Sequence, residues 1–307
     1  IRIYGREALG DGISELYSEC VNPIDVDQEY DLLCRNDMNT AGYIQWYYFM
    51  VETPNSSDIQ YPLTVRFNII NMMKRDALYN YGMKPTVYSQ HRANEELVSW
   101  VHDGTDICYF KNALEYTRRK KSKSYYTLSF TYIFTQPDTV YFAHCFPYTY
   151  TNLQRYLLSK SQDQKISGFF KRRLLCKTLA GNNCDLIVIA ADPTVDTQVS
   201  KQRSTIVVSA RIHPGESQSS HMLQGLIDYL TASTTEARML RNNFIFKIVP
   251  MLNPDGVIHG NYRCSMAGTD LNRRYGDTIQ FLHPTVHAMK EMLEKTHESR
   301  GILLYLD

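Results

Sequence analysis

The apolar and polar residues of this chain alternate with two different periods, and the change falls near its middle. From about residue 43 to residue 146 the period is two. Val65, Phe67 and Ile69 are separated by Thr64, Arg66 and Asn68, and Leu128, Phe130 and Tyr132 by Thr127, Ser129 and Thr131. Val140, Phe142, His144 and Phe146 interleave with Tyr141, Ala143 and Cys145 in the same way. Successive side chains of a strand point to opposite faces, so the pattern predicts half-buried antiparallel strands. Trp46, Tyr47, Tyr48 and Phe49 read as core and edge packing, because aromatic rings bury large areas. A β-sandwich-like domain is expected over residues 1–148.

After Pro147 the period becomes helical. In PYTYTNLQRYLL, Thr151 or Asn152 can cap a helix bearing Leu153, Tyr156 and Leu157, which places a boundary near Tyr148. Apolar strands are predicted at Leu186 to Ala190, around Ile206, Val207 and Val208, and at Phe244 to Met251. A polar connection from Ala191 to Arg203 joins the first two. Met222, Leu223, Leu226, Ile227 and Leu230 recur at helical spacing. A last helix carries Val286, Met289 and Leu293 on one face and starts at Pro284, a residue suited to the first helical position; it leads into GILLYLD. Strand and helix alternation makes residues 149–307 an α/β domain.

Composition narrows the function classes. The 307 residues, 43% hydrophobic, can bury a sizeable core, and a net charge of +1 argues against a general nucleic-acid binder. No apolar run reaches the length of a membrane span; FIFKIVPML is short and carries Lys247. Seven cysteines, Cys20, Cys34, Cys108, Cys145, Cys176, Cys184 and Cys264, show no close metal-type pairing, which favours a reduced, cytoplasmic protein. No secretory signal opens the sequence, and its start at Ile1 predicts a piece of a longer chain. The basic run Arg118, Arg119, Lys120, Lys121 and Lys123 reads as a hairpin tip, either simply solvated or a contact for an acidic partner.

Candidate chemistry lies where the central strand ends. His213 and Glu216 flank a turn tightened by Pro214 and Gly215, so an imidazole and a carboxylate can point at one ion. Zinc takes such mixed nitrogen and oxygen ligands, and a strand's carboxyl end is where open α/β sheets place their ligands. H-x-x-E alone is a weak signal. Asn253 to Val257, NPDGV, has the composition of a plain turn. Gly260 to Tyr275 gathers Arg263, Asp270, Asn272 and Arg273, a loop with several groups able to clamp an anion.

Together these stretches resemble a known family. RIHPGES, PMLNPDGV, GNYRCS and DLNRRY are similar to the signatures of zinc metallocarboxypeptidases, most closely the cytosolic carboxypeptidase branch of tubulin deglutamylases. FNIINMMKRDALYNYGMKPTVYS and HCFPYTYTNLQ resemble the β-rich domain that marks this branch. The resemblance implies an N-terminal antiparallel β-sandwich-like domain followed by an α/β/α carboxypeptidase domain with a mixed sheet, truncated at its C-terminal end. It implies one zinc ion held by His213 and Glu216, with Asp270 orienting His213 and Arg263 polarising the scissile carbonyl. Asn272 and Arg273 would hold the substrate's terminal carboxylate. The family's third zinc ligand and its general-base glutamate would fall beyond Asp307. The implied substrate is a glutamate-ended acidic protein tail, such as that of tubulin, in the cytoplasm and at microtubules, centrioles or cilia. A noncatalytic binder of such tails is the alternative.

Overall fold

A computed structural model describes residues 2–4, 26–118, 120–191 and 203–307. Cys20, Arg119 and most of the connection from Ala191 to Arg203 lie outside the described residues. The chain divides into two compact units, one drawn from Ile1–Asn36 and Gly42–Phe146, the other from Asp37–Ala41 and Pro147–Asp307.

The first unit is a two-sheet sandwich. Its strands are β1 (Arg2–Tyr4), β2 (Gln28–Leu32), β3 (Tyr48–Glu52), β4 (Leu63–Met72), β5 (Thr86–Ser89), β6 (Val101–His102), β7 (Thr105–Arg118), β8 (Lys121–Phe134) and β9 (Thr139–Ala143). One sheet runs β1-β3-β9-β5-β6 and the other β2-β4-β8-β7. A short helix, α1 (Gln90–Glu95), follows β5 and is capped by the Ser89 side chain. The core is an aromatic cluster built from both sheets: Phe142 packs 5.2 Å from Phe49 and 5.2 Å from Phe67 between ring centroids. Val65, Phe67, Ile69, Leu128, Phe130, Val140 and Phe142 are buried, as the period of two requires.

Two features of this unit differ from the expectation. β2 and β4 pair in parallel, because the chain passes through β3 in the opposite sheet before it returns beside β2. The anticipated solvent face of β8 is also covered: Thr127, Ser129 and Thr131 are buried, as is Asn68 on β4. Hydrogen bonds within this polar layer offset the desolvation, Asn112 Nδ2 donating to Thr127 Oγ1 and Asn68 Nδ2 to Glu29 and Asp31. Tyr48, by contrast, is exposed between its buried neighbours Tyr47 and Phe49, and Phe146 is exposed as well. Lys120, Lys121 and Lys123 are exposed at the tip of the β7–β8 hairpin.

The second unit is a three-layer α/β/α arrangement. Its strands are β10 (Phe170–Lys177), β11 (Asn183–Ile189), β12 (Thr205–Ser209), β13 (Ile245–Val249) and β14 (Ile302–Leu306), in the order β10-β11-β13-β12-β14. β10, β11 and β13 pair antiparallel, whereas β12 runs parallel to both β13 and β14, so the sheet is mixed. Helices are α2 (Tyr150–Gln162), α3 (Ser217–Thr231), α4 (Thr235–Asn243), α5 (Pro254–His259) and α6 (Pro284–Arg300). Alternation along the strands sorts side chains between two cores. Val208, Phe246 and Ile248 meet Leu153 and Leu157 of α2 and Leu223, Ile227 and Leu230 of α3. Val207 and Val249 point the other way, toward Val286 and Met289 of α6.

Local details correct the reading of the sequence. The cap of α2 is Thr149, whose side chain accepts from the Asn152 N–H, not Thr151 or Asn152. Those two positions already lie within the first turn, where Asn152 Oδ1 accepts from Thr149 Oγ1. Met222 of α3 is exposed, while Leu226 is partly buried. β10 and α4 carry no clear period: β10 mixes Arg172, Arg173 and Leu174 at an edge, and α4 buries only Ala237 and Arg241.

A buried histidine gives the first unit a pH dependence. Tyr47 Oη, Tyr79 Oη and His144 Nδ1 form a chain at 2.8 and 2.9 Å, and burial, aided by Lys74, pushes the His144 imidazole down to a pKa of about 4. In the unfolded chain the same ring titrates near about 6.5. The folded state therefore favours the neutral ring, and stability is lost as pH falls from the unfolded toward the folded value. Denaturant unfolding should show this unit losing about 2 kcal/mol between about pH 7 and about pH 5, a loss that His144→Gln flattens.

Candidate active site

The site is assembled from two loops at the carboxyl ends of adjacent parallel strands. β12 leads into the turn that carries His213 and Glu216, and β13 leads into the long loop that carries Arg263, Asp270 and Asn272. Parallel neighbours send both loops to the same end of the sheet. From β12 the chain moves to β13 on one side and later returns to β14 on the other, so the crevice lies where the winding direction reverses.

Sequence-local chemistry holds the first loop in an unusual shape. Arg211 takes a left-handed backbone, φ 58°, and its side chain is buried beneath the turn. Its Nε donates to the Pro214 carbonyl at 2.8 Å, and its Nη1 donates to the Tyr148 carbonyl and to Ser220 Oγ. Gly215 N–H donates to the Tyr262 carbonyl at 2.7 Å, which ties the first loop to the second. The glycines allow that approach: a Cβ on Gly215 would stand 2.6 Å from the Tyr262 ring, and one on Gly256 would stand 2.4 Å from Pro214 Cγ. Asn253 to Val257 is not a plain turn. Asn253 caps α5 by accepting from the Gly256 N–H, Pro254 starts the helix, and the Asn253 amide donates back to the Ile212 carbonyl.

On this frame His213 stands between two carboxylates. Its Nδ1 lies 3.1 Å from Glu216 Oε1, and its Nε2 lies 3.1 Å from Asp270 Oδ1. Asp270 Oδ2 accepts from Arg263 Nε at 2.7 Å, so one carboxylate joins the imidazole to the guanidinium. Asp270 also caps the short 3-10 turn Leu271–Arg273 by accepting from the Asn272 N–H. His213 is buried, Glu216 and Arg263 are partly exposed, and the ring's pKa is raised chiefly by its bond to Glu216, against the pull of burial. His213 in turn lowers that of Glu216. Burial opposes charge on Asp270, but Arg263 and His213 outweigh it and hold its carboxyl below the usual range. A positive charge between His213 Nδ1 and Glu216 is thus stabilised, and a proton or a metal cation supplies it.

As a donor set this suits zinc. A metal-bound imidazole commonly gives its other ring nitrogen to a carboxylate, and Asp270 occupies that place. His213 Nδ1 and Glu216 Oε1 are the two donors the chain brings together; among the described residues no group of three or more His, Cys, Asp or Glu side chains is arranged to hold a metal ion. Arg273 is exposed and donates to the Asn272 carbonyl, apart from the His213–Asp270–Arg263 network.

Known proteins are similar to this part of the chain. The zinc carboxypeptidase family (peptidase M14) matches residues 158–299, a span that includes His213, Glu216, Arg263, Asp270, Asn272 and Arg273. Over that span the chain is similar to the zinc carboxypeptidases. Beyond that span, the chain is 42% identical over 280 residues to cytosolic carboxypeptidase 2 of Xenopus tropicalis and 44% identical over 282 residues to cytosolic carboxypeptidase 3 of Mus musculus. These alignments cover 91% and 92% of this chain but only 28% and 27% of those proteins. The similarity to cytosolic carboxypeptidases thus extends over the β-rich unit as well. A putative carboxypeptidase A from Shewanella denitrificans has the same fold, with a TM-score of 0.70 at 20% identity over 100% of this chain and 68% of its own.

Several residues that shape this candidate site were not identified as functional from the sequence. Arg211 and Asn253 are polar residues at the ends of apolar strands, a signal available in the sequence; Asp37, whose carboxylate accepts from the N–H groups of residues 262–264, offers none. The packing of the two loops makes a sharp prediction. Gly256→Ala has no room for its methyl group and should destabilise the protein by about 1–3 kcal/mol. By displacing Pro214 it should also weaken zinc retention, measurable by thermal unfolding and by zinc content after dialysis.

Proposed function

We propose that the protein is a zinc-dependent metallocarboxypeptidase that removes C-terminal residues, glutamate foremost, from acidic protein tails such as those of polyglutamylated tubulin. The observation that carries this reading is the His213 ring, with Glu216 on one nitrogen and Asp270 on the other. His213 and Glu216 hold the ion, and Asp270 fixes the ring so that Nδ1 faces it. When bound, zinc polarises the scissile carbonyl and makes water nucleophilic near neutral pH.

The remaining work falls to the protein's own side chains. Arg263 uses Nε to grip Asp270, and its Nη groups are donors for the oxygen that gains charge as the carbonyl is attacked. Asn272 and Arg273 grip the free carboxylate of the chain end, which the planar guanidinium can meet with two parallel hydrogen bonds. Recognition of that carboxylate is what selects an exopeptidase reaction. The exposed Lys120, Lys121 and Lys123 are suited to steer an acidic tail. Working in the cytoplasm, on microtubules, centrioles or cilia, belongs to the same reading, which is drawn from the relatives' cytosolic class.

The test is zinc content together with amino-acid release from peptides ending in glutamate, aspartate or tyrosine, on the full-length protein. About one zinc per chain and preferential glutamate release are expected. His213→Ala should lose both. Arg263→Ala should keep zinc and lower kcat by about a hundredfold to a thousandfold. Arg273→Lys should instead raise KM by about tenfold, since a bidentate grip is replaced by a point charge. Zinc-loaded protein that releases no residue from any of the three peptides, yet still binds them, would replace this reading with that of a tail-binding module.

A further inference from the structure

Asp37 belongs to the second unit although the chain on either side of Asp37–Ala41 belongs to the first. Its side chain is 3% exposed. Oδ1 accepts from Tyr262 N–H at 2.6 Å, and Oδ2 accepts from Arg263 N–H at 2.8 Å and Cys264 N–H at 2.7 Å. Successive backbone N–H groups aimed at one point make a concave anion site, and here the protein fills it with its own carboxylate. Burial raises the pKa of Asp37, and these N–H bonds act against that rise.

The residues after Asp37 continue along the same loop. Met38 N–H donates to Asn261 Oδ1 at 3.1 Å, and Asn261 Nδ2 donates to the Cys264 carbonyl at 2.8 Å. Asn39 Nδ2 donates to the Met266 carbonyl at 2.9 Å. Gly268 passes so close that a Cβ there would lie 2.4 Å from the Asn39 carbonyl oxygen. The loop that presents Arg263 to Asp270 is therefore held at its backbone from residue 37 and at its side chain from residue 270.

We propose that Asp37 is a positioning residue for Arg263: its carboxylate sets the backbone of residues 262–264, and through it the place of the guanidinium beside Asp270. The proposal rests on the reading of Arg263 as the group that meets the reacting oxygen. A carboxylate is needed because three N–H donors converge on two oxygens. An asparagine offers one acceptor oxygen and turns an NH₂ toward N–H groups that it cannot satisfy, leaving buried donors unpaired. Small displacements of a group that acts in the transition state have large effects on rate.

The experiment compares Asp37→Asn, Arg263→Ala and the double variant in the full-length, zinc-loaded protein, with kcat and KM measured per bound zinc on a glutamate-ended peptide. Asp37→Asn should lower kcat by about ten- to a hundredfold and leave zinc content unchanged and KM within about threefold. In the Arg263→Ala background the same change should cost less than about twofold, because the two residues act through one group. Hydrogen exchange supplies a readout independent of activity: the amides of Tyr262, Arg263 and Cys264 should lose protection in Asp37→Asn. Undiminished kcat in Asp37→Asn, equal losses in both backgrounds, or unchanged exchange would each overturn the proposal. Full activity in Arg263→Ala would instead sink the reading of Arg263. Should Asp37→Asn fail to fold, Gly268→Ala, which presses on Asn39, should reproduce the kcat-selective loss, and an intact kcat there counts against the proposal.

Discussion

Everything in the second unit converges on one imidazole placed between two carboxylates. A ring at 3.1 Å from both Glu216 and Asp270 has its orientation fixed from each side. Asp270 reaches the ring with one carboxylate oxygen while the other accepts from Arg263. Bringing like charges together in a half-buried cleft is unfavourable unless cations sit between them. His213 and Arg263 do so, and the two loops must be locked for that alternation of charge to persist. The locks are backbone contacts that only small residues permit, at Gly215 against Tyr262 and at Gly256 against Pro214.

Much of this was legible in the sequence, for physical reasons that differ by element. Strands buried on both faces or on one face leave strong periods, so β4, β8, β9, β11, β12 and β13 are visible as apolar runs or alternations. The turn at His213 is a weak signal by itself, because H-x-x-E is short, and it gains weight only beside the motifs of the second loop. β10 is invisible because an edge strand with Arg172 and Arg173 has no apolar face to declare. Thr127 misled because a hydroxyl group that finds a partner, here the Asn112 amide, can be buried as readily as valine. The NPDGV segment has turn composition and helix geometry for one reason: Asn253 and Pro254 are as good at starting a helix as at making a turn.

The two units use buried polar groups differently. In the first, the Tyr47–Tyr79–His144 chain is enclosed, and its histidine is kept neutral by burial. In the second, His213 lies near carboxylates that favour positive charge. The same residue type is thus kept neutral in one place and favoured in its charged form in the other, and the difference lies in the neighbours.

The placement of Asp37 also bears on how the protein is made. During synthesis this carboxylate leaves the ribosome 225 residues ahead of Tyr262, the first of its partners to emerge. A contact of that span is closed late, because the intervening chain must first be ordered. Until then the acid has no N–H groups to meet, and the N–H groups of residues 262–264 lack the carboxylate that gathers them. The arginine side of the site is therefore finished only when residues 37 and 262–264, far apart in sequence, have found one another.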